Sequence, residues 1–182
     1  MRKIVLAVFG VCLITTQLAA QRVPFGKGYT VVNLGVGLGS TWYSGTYYHT
    51  RLLPLSASVE FGLADYVLEK GAIGAGPYIG YTTLKNEYND GGYNYSMVLM
   101  GLRGNFHYPL VDNLDTYASL FLGYNIISSE GFGIPAGPPE SGGLRTAFYV
   151  GGRYYFMETL AFMAEIGYGI SYLNVGIAFT FF

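Results

Sequence analysis

Glu60, Arg103, Arg153 and Glu165 are the residues whose types and placing most invite chemistry, because each interrupts a long apolar stretch with a charge. Two acids and two bases at such depth can pair, and an ion buried without a partner costs several kcal/mol. Arg103 and Arg153 each follow a glycine by two positions, Gly101 and Gly151, and Glu165 lies in the segment next after that of Arg153. The expected arrangement is an internal salt-bridge network. A network whose pairing can switch would also make a gate.

Other constellations carry less. His49 and His107 are the two histidines of the chain, too few to make a metal site on their own. Ser44 and His49 stand close enough to supply a nucleophile and a base, although an exposed loop histidine is the plainer reading. Gly35-Val36-Gly37-Leu38-Gly39 has the glycines of a phosphate loop, yet that chemistry needs a helix N-terminus directly after it. Ser40-Thr41-Trp42-Tyr43 does not begin one. Asn86 to Gly91 holds oxygen ligands and a glycine but lacks the spacing and closing glutamate of an EF-hand, and Asn-Asp-Gly-Gly is ordinary hairpin chemistry. No catalytic residue, cofactor site or metal site is expected, and the chain is read as not an enzyme.

The elements that position the four charges are read from alternation. From Tyr29 onward the pattern has period two, which in a strand sends successive side chains to opposite faces. Val32, Leu34, Val36 and Leu38 form one face of the first segment, and Asn33, Gly35, Gly37 and Gly39 the other. Leu53, Leu55, Ala57, Val59, Phe61 and Leu63 alternate in the same way with Pro54, Ser56, Ser58, Glu60 and Gly62. Six more segments follow: 72–83, 95–108, 116–127, 146–156, 160–171 and 173–181. Most of the eight run about 10 to 13 residues, enough for the roughly 9 to 11 of a tilted membrane-spanning strand and well beyond the 5 or 6 usual in soluble proteins.

Within these strands the four charges share their face with small or polar residues and lie opposite the apolar one. An Arg or Lys facing lipid costs roughly 2 to 4 kcal/mol at the midplane, so all four are predicted to point into a lumen. A soluble calyx would put its apolar residues inside and a strongly charged surface outside. The composition, 51% hydrophobic and 12% charged, leaves too little charge for that surface. Pro77 falls in mid-strand, where a closed barrel has no free edge; a bulge or a break is expected there.

Residues 1–20 read as an export signal, with Arg2 and Lys3 ahead of the apolar run Ile4 to Ile14 and a small-residue site at Leu18-Ala19-Ala20. Cys12, the lone cysteine, sits inside that run and is poorly placed as a lipid anchor. Cleavage after Ala20 would leave no disulfide or thiolate chemistry. Of the ten Lys and Arg, Arg2 and Lys3 lie in the leader, so the remaining balance against eleven acids is mildly negative and offers nucleic acid no footprint. Residues 21–28 are read as a short periplasmic N-terminal segment and 29–182 as the barrel.

Connections of two lengths are expected, with outer loops at 42–51, 85–94 and 128–144, and inner turns at 64–71, 109–115 and 157–159. The eighteen Tyr and twelve Phe suit interface girdles. Tyr81 and Tyr124 are assigned to the outer rim. Phe61, Phe106, Tyr108, Tyr154 and Phe156 are assigned to the inner one.

The stretches Gly101-Leu102-Arg103-Gly104-Asn105-Phe106, Leu120-Phe121-Leu122-Gly123-Tyr124-Asn125, Val150 to Phe156 and Glu165-Ile166-Gly167-Tyr168-Gly169 carry a resemblance. Over nearly its whole length after the leader, the chain resembles the porin-like outer-membrane β-barrel domain family, relatives of the small outer-membrane protein A and X barrels. The ending resembles that family's aromatic insertion signature, through Phe179, Phe181 and Phe182. The alternation puts Phe181 in phase, with Phe182 one residue beyond. The resemblance implies insertion by the barrel-assembly machinery of a Gram-negative outer membrane. Some such barrels modify lipid A with a histidine and a serine at the outer edge, and His49 with Ser44 is the local candidate here.

The fold expected is all-β, an eight-stranded antiparallel up-and-down transmembrane β-barrel. The function expected is a structural and surface-interaction role in the outer membrane, in contact with its lipid and lipopolysaccharide. Recognition of an unknown surface ligand falls to the outer loops, where Trp42, Tyr43, Tyr47 and Tyr48 could hold a sugar. A narrow channel or conduit for a small or apolar solute, and a lipid-modifying enzyme, remain as alternatives.

Overall fold

A computed structural model describes residues 25–40, 48–88, 91–133 and 142–182. The predicted leader, the loop residues Trp42, Tyr43, Ser44 and Tyr47, and the turn Asn89-Asp90 lie outside them. Eight strands follow one another: β1 (Thr30–Leu38), β2 (Tyr48–Val67), β3 (Gly71–Tyr88), β4 (Gly91–Val111), β5 (Leu114–Phe132), β6 (Gly143–Met157), β7 (Leu160–Tyr168) and β8 (Leu173–Phe181). Each pairs antiparallel with its neighbours in the chain, and β1 pairs with β8 from Thr30↔Phe181 to Leu38↔Leu173, which closes the barrel.

Alternation decides which side chains meet lipid. On β1, Leu34, Val36 and Leu38 point outward, while Asn33 and the glycines between them face the lumen. Leu102, Leu120, Leu122, Val150, Phe162, Ile166 and Val175 carry the same outer face around the wall. Among the described residues, charges on the outer surface occur only toward the strand ends. Arg51, Lys85, Glu87 and Glu130 stand at one end, and Lys27, Asp65, Glu69, Lys70, Asp112 and Glu158 at the other. Such an apolar belt between charged rims is stable only in lipid, and the fold is that of a transmembrane barrel.

The strands depart from the predicted spans mainly by running on. β2 to β5 are 18 to 21 residues long, about twice what a span requires. The predicted outer loop 85–94 is mostly a continued ladder, with Lys85↔Asn94, Asn86↔Tyr93, Glu87↔Gly92 and Tyr88↔Gly91 paired. Ser128 to Phe132, assigned to the third outer loop, belong to β5, and Tyr48 to Arg51, assigned to the first, belong to β2. At the inner end Ala64 to Val67 and Pro109 to Val111 are likewise strand, leaving a two-residue turn, Asp112-Asn113, between β4 and β5. β7 stops at Tyr168, three residues short of its predicted end, and Gly167 N–H donates to the carbonyl of Tyr172 across the last turn (3.0 Å).

Pro77 causes neither a bulge nor a break. β3 is continuous through it, and the register to β2 is the same on both sides, Ser58↔Tyr78 and Phe61↔Ala75. Only the ladder pairs between these drop out, while Pro77↔Leu102 keeps its place against β4. The missing N–H is absorbed as a short gap on one side of β3. The irregularities of β2 lie instead toward its ends, between Thr50 and Leu55 and between Gly62 and Val67.

Candidate functional site

The lumen holds the polar chemistry in two layers. Nearer the inner mouth, Glu60 of β2, His107 of β4, Asp115 of β5 and Arg153 of β6 form a closed ring. His107 Nε2 meets Glu60 Oε1 at 2.5 Å and its Nδ1 meets Asp115 Oδ1 at 2.8 Å. Arg153 Nη1 donates to Asp115 Oδ2 at 3.1 Å, and its Nη2 donates to Glu60 Oε2. Arg153 Nε completes the layer by donating to Asn33 Oδ1 of β1 at 3.0 Å. Each carboxylate thus serves one cation with one oxygen and the other with its second. With an acid facing each ring nitrogen, His107 fits as the doubly protonated imidazolium, the form that donates from both.

The second layer is built on Arg103 of β4. Its guanidinium grips Glu165 of β7 through Nη1–Oε2 at 3.3 Å and Nη2–Oε1 at 2.6 Å, the planar fork suited to a carboxylate. Its Nε donates to Asn105 Oδ1 and Ser119 Oγ, both at 3.1 Å. Tyr117 OH and Asn174 Nδ2 donate to the Glu165 oxygens at 2.6 and 3.1 Å. The Tyr117 ring joins the layers, with Arg153 Cζ 4.8 Å from its centroid and Arg103 Cζ 5.8 Å. Three carboxylates therefore face two guanidiniums and one imidazolium, a balance that lets all six stay buried.

Apolar side chains close the lumen on both sides of these layers. Toward the outer end Tyr78, Leu99, Phe121, Ala147, Tyr149 and Ile170 pack together, with Arg103 Cζ 5.6 Å from the Tyr149 ring. Leu84, Tyr95 and Met97 form a further cluster beyond them. At the inner end Phe25 stacks on His107, ring centroids 4.0 Å apart. Part of the segment read as a periplasmic tail is thus inside the barrel mouth.

All four sequence-predicted charges face the lumen and are ion-paired there, although not between the adjoining strands β6 and β7. Gly151, not Arg153, stands opposite Glu165 on the adjoining strand. Arg153 reaches to Glu60 and Asp115, and Glu165 to Arg103 from three strands away. His107 and Asp115 were not among the predicted lumen charges, since His107 adjoins the rim aromatics Phe106 and Tyr108 and Asp115 falls in the predicted inner turn 109–115. The signal was present, since Arg103, Asn105 and His107 share one parity on β4, as Asp115, Tyr117 and Ser119 do on β5.

Phe61, Tyr81, Tyr124, Tyr154 and Phe156 are exposed on the outer wall, while Phe106 and Tyr108 are half-buried there with rings 6.5 Å apart. Phe179 and Phe181 point outward on β8, and the Phe182 ring sits edge-on to Tyr29 at 4.9 Å. His49 is exposed on β2, and Ser44, its proposed partner, lies outside the described residues.

No protein-family model matches the sequence, and no curated protein matches it. Solved structures similar to it include a de novo designed transmembrane β-barrel, at 13% identity over 86% of this chain and 98% of that one, with a TM-score of 0.47. The N-terminal β-barrel domain of Pseudomonas aeruginosa OprF is similar at 15% identity, covering 86% of this chain and all of that one (100%), with a TM-score of 0.40. Ail, the attachment invasion locus protein of Yersinia pestis, is similar at 14% identity over 85% and 99% of the two chains, with a TM-score of 0.36.

Proposed function

We propose that the chain is an integral outer-membrane protein whose barrel is a closed anchor and whose work is done by the hairpins projecting from its outer rim. The observation that carries this reading is the continuation of β2 to β5 beyond the apolar belt. At the level of Tyr81, Val98 and Ile126 the outer face is still apolar. One step on, Thr83, Ser96 and Ser128 make it polar, and Lys85, Asn94 and Glu130 follow. A sheet that keeps its ladder above the lipid is a platform for recognition, because its side chains are held in fixed register. The filled lumen argues against a diffusion pore.

In this reading residues 1–20 direct export, and Phe179, Phe181 and Phe182 present the ending that the assembly machinery takes up. Outer-membrane lipid and lipopolysaccharide surround the belt, an unidentified surface ligand meets the projecting sheet, and no reaction is catalysed. A membrane-impermeant amine reagent applied to intact cells tests the orientation. Lys85 is expected to be modified at once, and Lys27 and Lys70 only after the membrane is permeabilised. Modification of Lys27 and Lys70 in intact cells, with Lys85 protected, would overturn it.

A further inference from the structure

Phe25 to Tyr29 belong to no strand, yet they occupy the inner mouth. Phe25 is 2% exposed and packs among Val31, Ala72, Ala161 and Ala178. Its ring lies nearly parallel to that of His107, at 24°, and Arg153 Cζ is 5.9 Å from its centroid. Among the described residues, the segment's backbone hydrogen bonds to the wall run to β2. Gly28 N–H donates to Gly62 O at 3.0 Å, Gly62 N–H donates to Tyr29 O at 2.8 Å, and Lys27 N–H donates to the Asp65 carboxylate.

The wall is shaped to receive it. Gly62 and Gly74 face each other across the β2–β3 ladder. A Cβ on Gly74 would lie 2.7 Å from Phe25 Cζ, and one on Gly62 would lie 1.9 Å from the carbonyl oxygen of Gly26. Beside the segment a cavity of about 550 Å³ opens at the mouth, between the inner ends of β2–β3 and β4–β5, with Lys27, Asp65, Tyr66, Leu110 and Asp112 among its lining.

We propose that Phe25–Tyr29 is a releasable stopper for the inner mouth, seated on His107 and Arg153, whose departure uncovers a charged vestibule that ends at the Tyr78–Tyr149 layer. Three hydrogen bonds to β2 and the Phe25 and Tyr29 rings hold it, against a ladder on both sides for every wall strand, so it opens at lower free energy than the barrel. The cavity gives the displaced segment somewhere to go. The Glu60–His107–Asp115–Arg153 ring would then meet the inner solution while the lumen stays shut above Arg103 and Glu165. This device stands whichever role the outer hairpins play.

Labelling by a water-soluble maleimide reads the opening directly. The full-length chain carries Cys12→Ser, to remove its own thiol, and Ala72→Cys beside the stopper, and is refolded in lipid vesicles. Phe25→Ala removes the stopper's ring and Gly62→Ala crowds its backbone without altering the ring. Each is expected to speed labelling by about tenfold or more over the parent, in proportion to the open population. Heat-dependent gel mobility confirms that each variant is a folded barrel. Either variant, folded yet labelled at the parent rate, overturns the proposal.

Discussion

At the scale of residues, the lumen shows why charge is tolerated inside a membrane-spanning wall. Removing one member of a buried pair strands the other, at a cost of about 3 to 5 kcal/mol. Glu165→Gln keeps the side chain's shape but leaves the Arg103 guanidinium without its counter-ion. Urea unfolding in lipid vesicles is expected to find it less stable by about that amount. Glu87→Gln breaks the exposed pair with Lys85 (2.9 Å) at the outer rim and should change stability by less than about 1 kcal/mol. Equal effects at the two sites would mean that the lumen pairs are solvated. Within the inner ring, His107→Ala and Asp115→Ala should couple by about 0.5 to 3 kcal/mol in a double-mutant cycle, since each acts through the same bonds. Strict additivity would break the ring as a unit. That these charges face inward was legible from parity alone. Their partners were not, because Arg103 to Glu165 crosses the lumen from β4 to β7, and such a pairing depends on how the closed sheet is staggered.

At the scale of elements, the strands obey lipid only where lipid is present. Leu102, outward at mid-wall, and Ser96, outward on the same strand above the belt, make the contrast. Leu102→Arg is expected to lower stability by roughly 2 to 4 kcal/mol, and Ser96→Arg by about 0 to 1. Similar losses at both would put the belt's edge in the wrong place. The same physics explains what the sequence hid. Strand existence and inner–outer parity were readable within the belt because alternation is enforced there on both faces. Beyond it Lys85, Glu87, Asn94 and Glu130 face water, so the outward half of the pattern turns polar and reads as loop. The inward half, Leu84, Tyr95 and Met97, still alternates. Pro77 was anticipated as a fault because a central proline lacks a donor; its gap toward β2 needs no extra residue, and local sequence does not encode that. The seat of Phe25 was not legible because a single aromatic ahead of a strand carries no period, and that seat is made by Gly62 and Gly74, far along the chain.

At the scale of the whole molecule, closure of β1 on β8 leaves no edge in the lipid, and every strand has a paired neighbour on both sides. The interior is occupied from the Phe25 mouth through two charged layers to the Tyr78–Tyr149 cluster. Unboiled protein should migrate differently from boiled protein on a gel, as a barrel that resists detergent does; identical migration would contradict the fold. Whether this wall is an anchor with a filled lumen is decided by single-channel recording of the refolded chain in a planar bilayer. A filled lumen gives no discrete steps from the wild-type protein; reproducible conductance steps would show an open path instead.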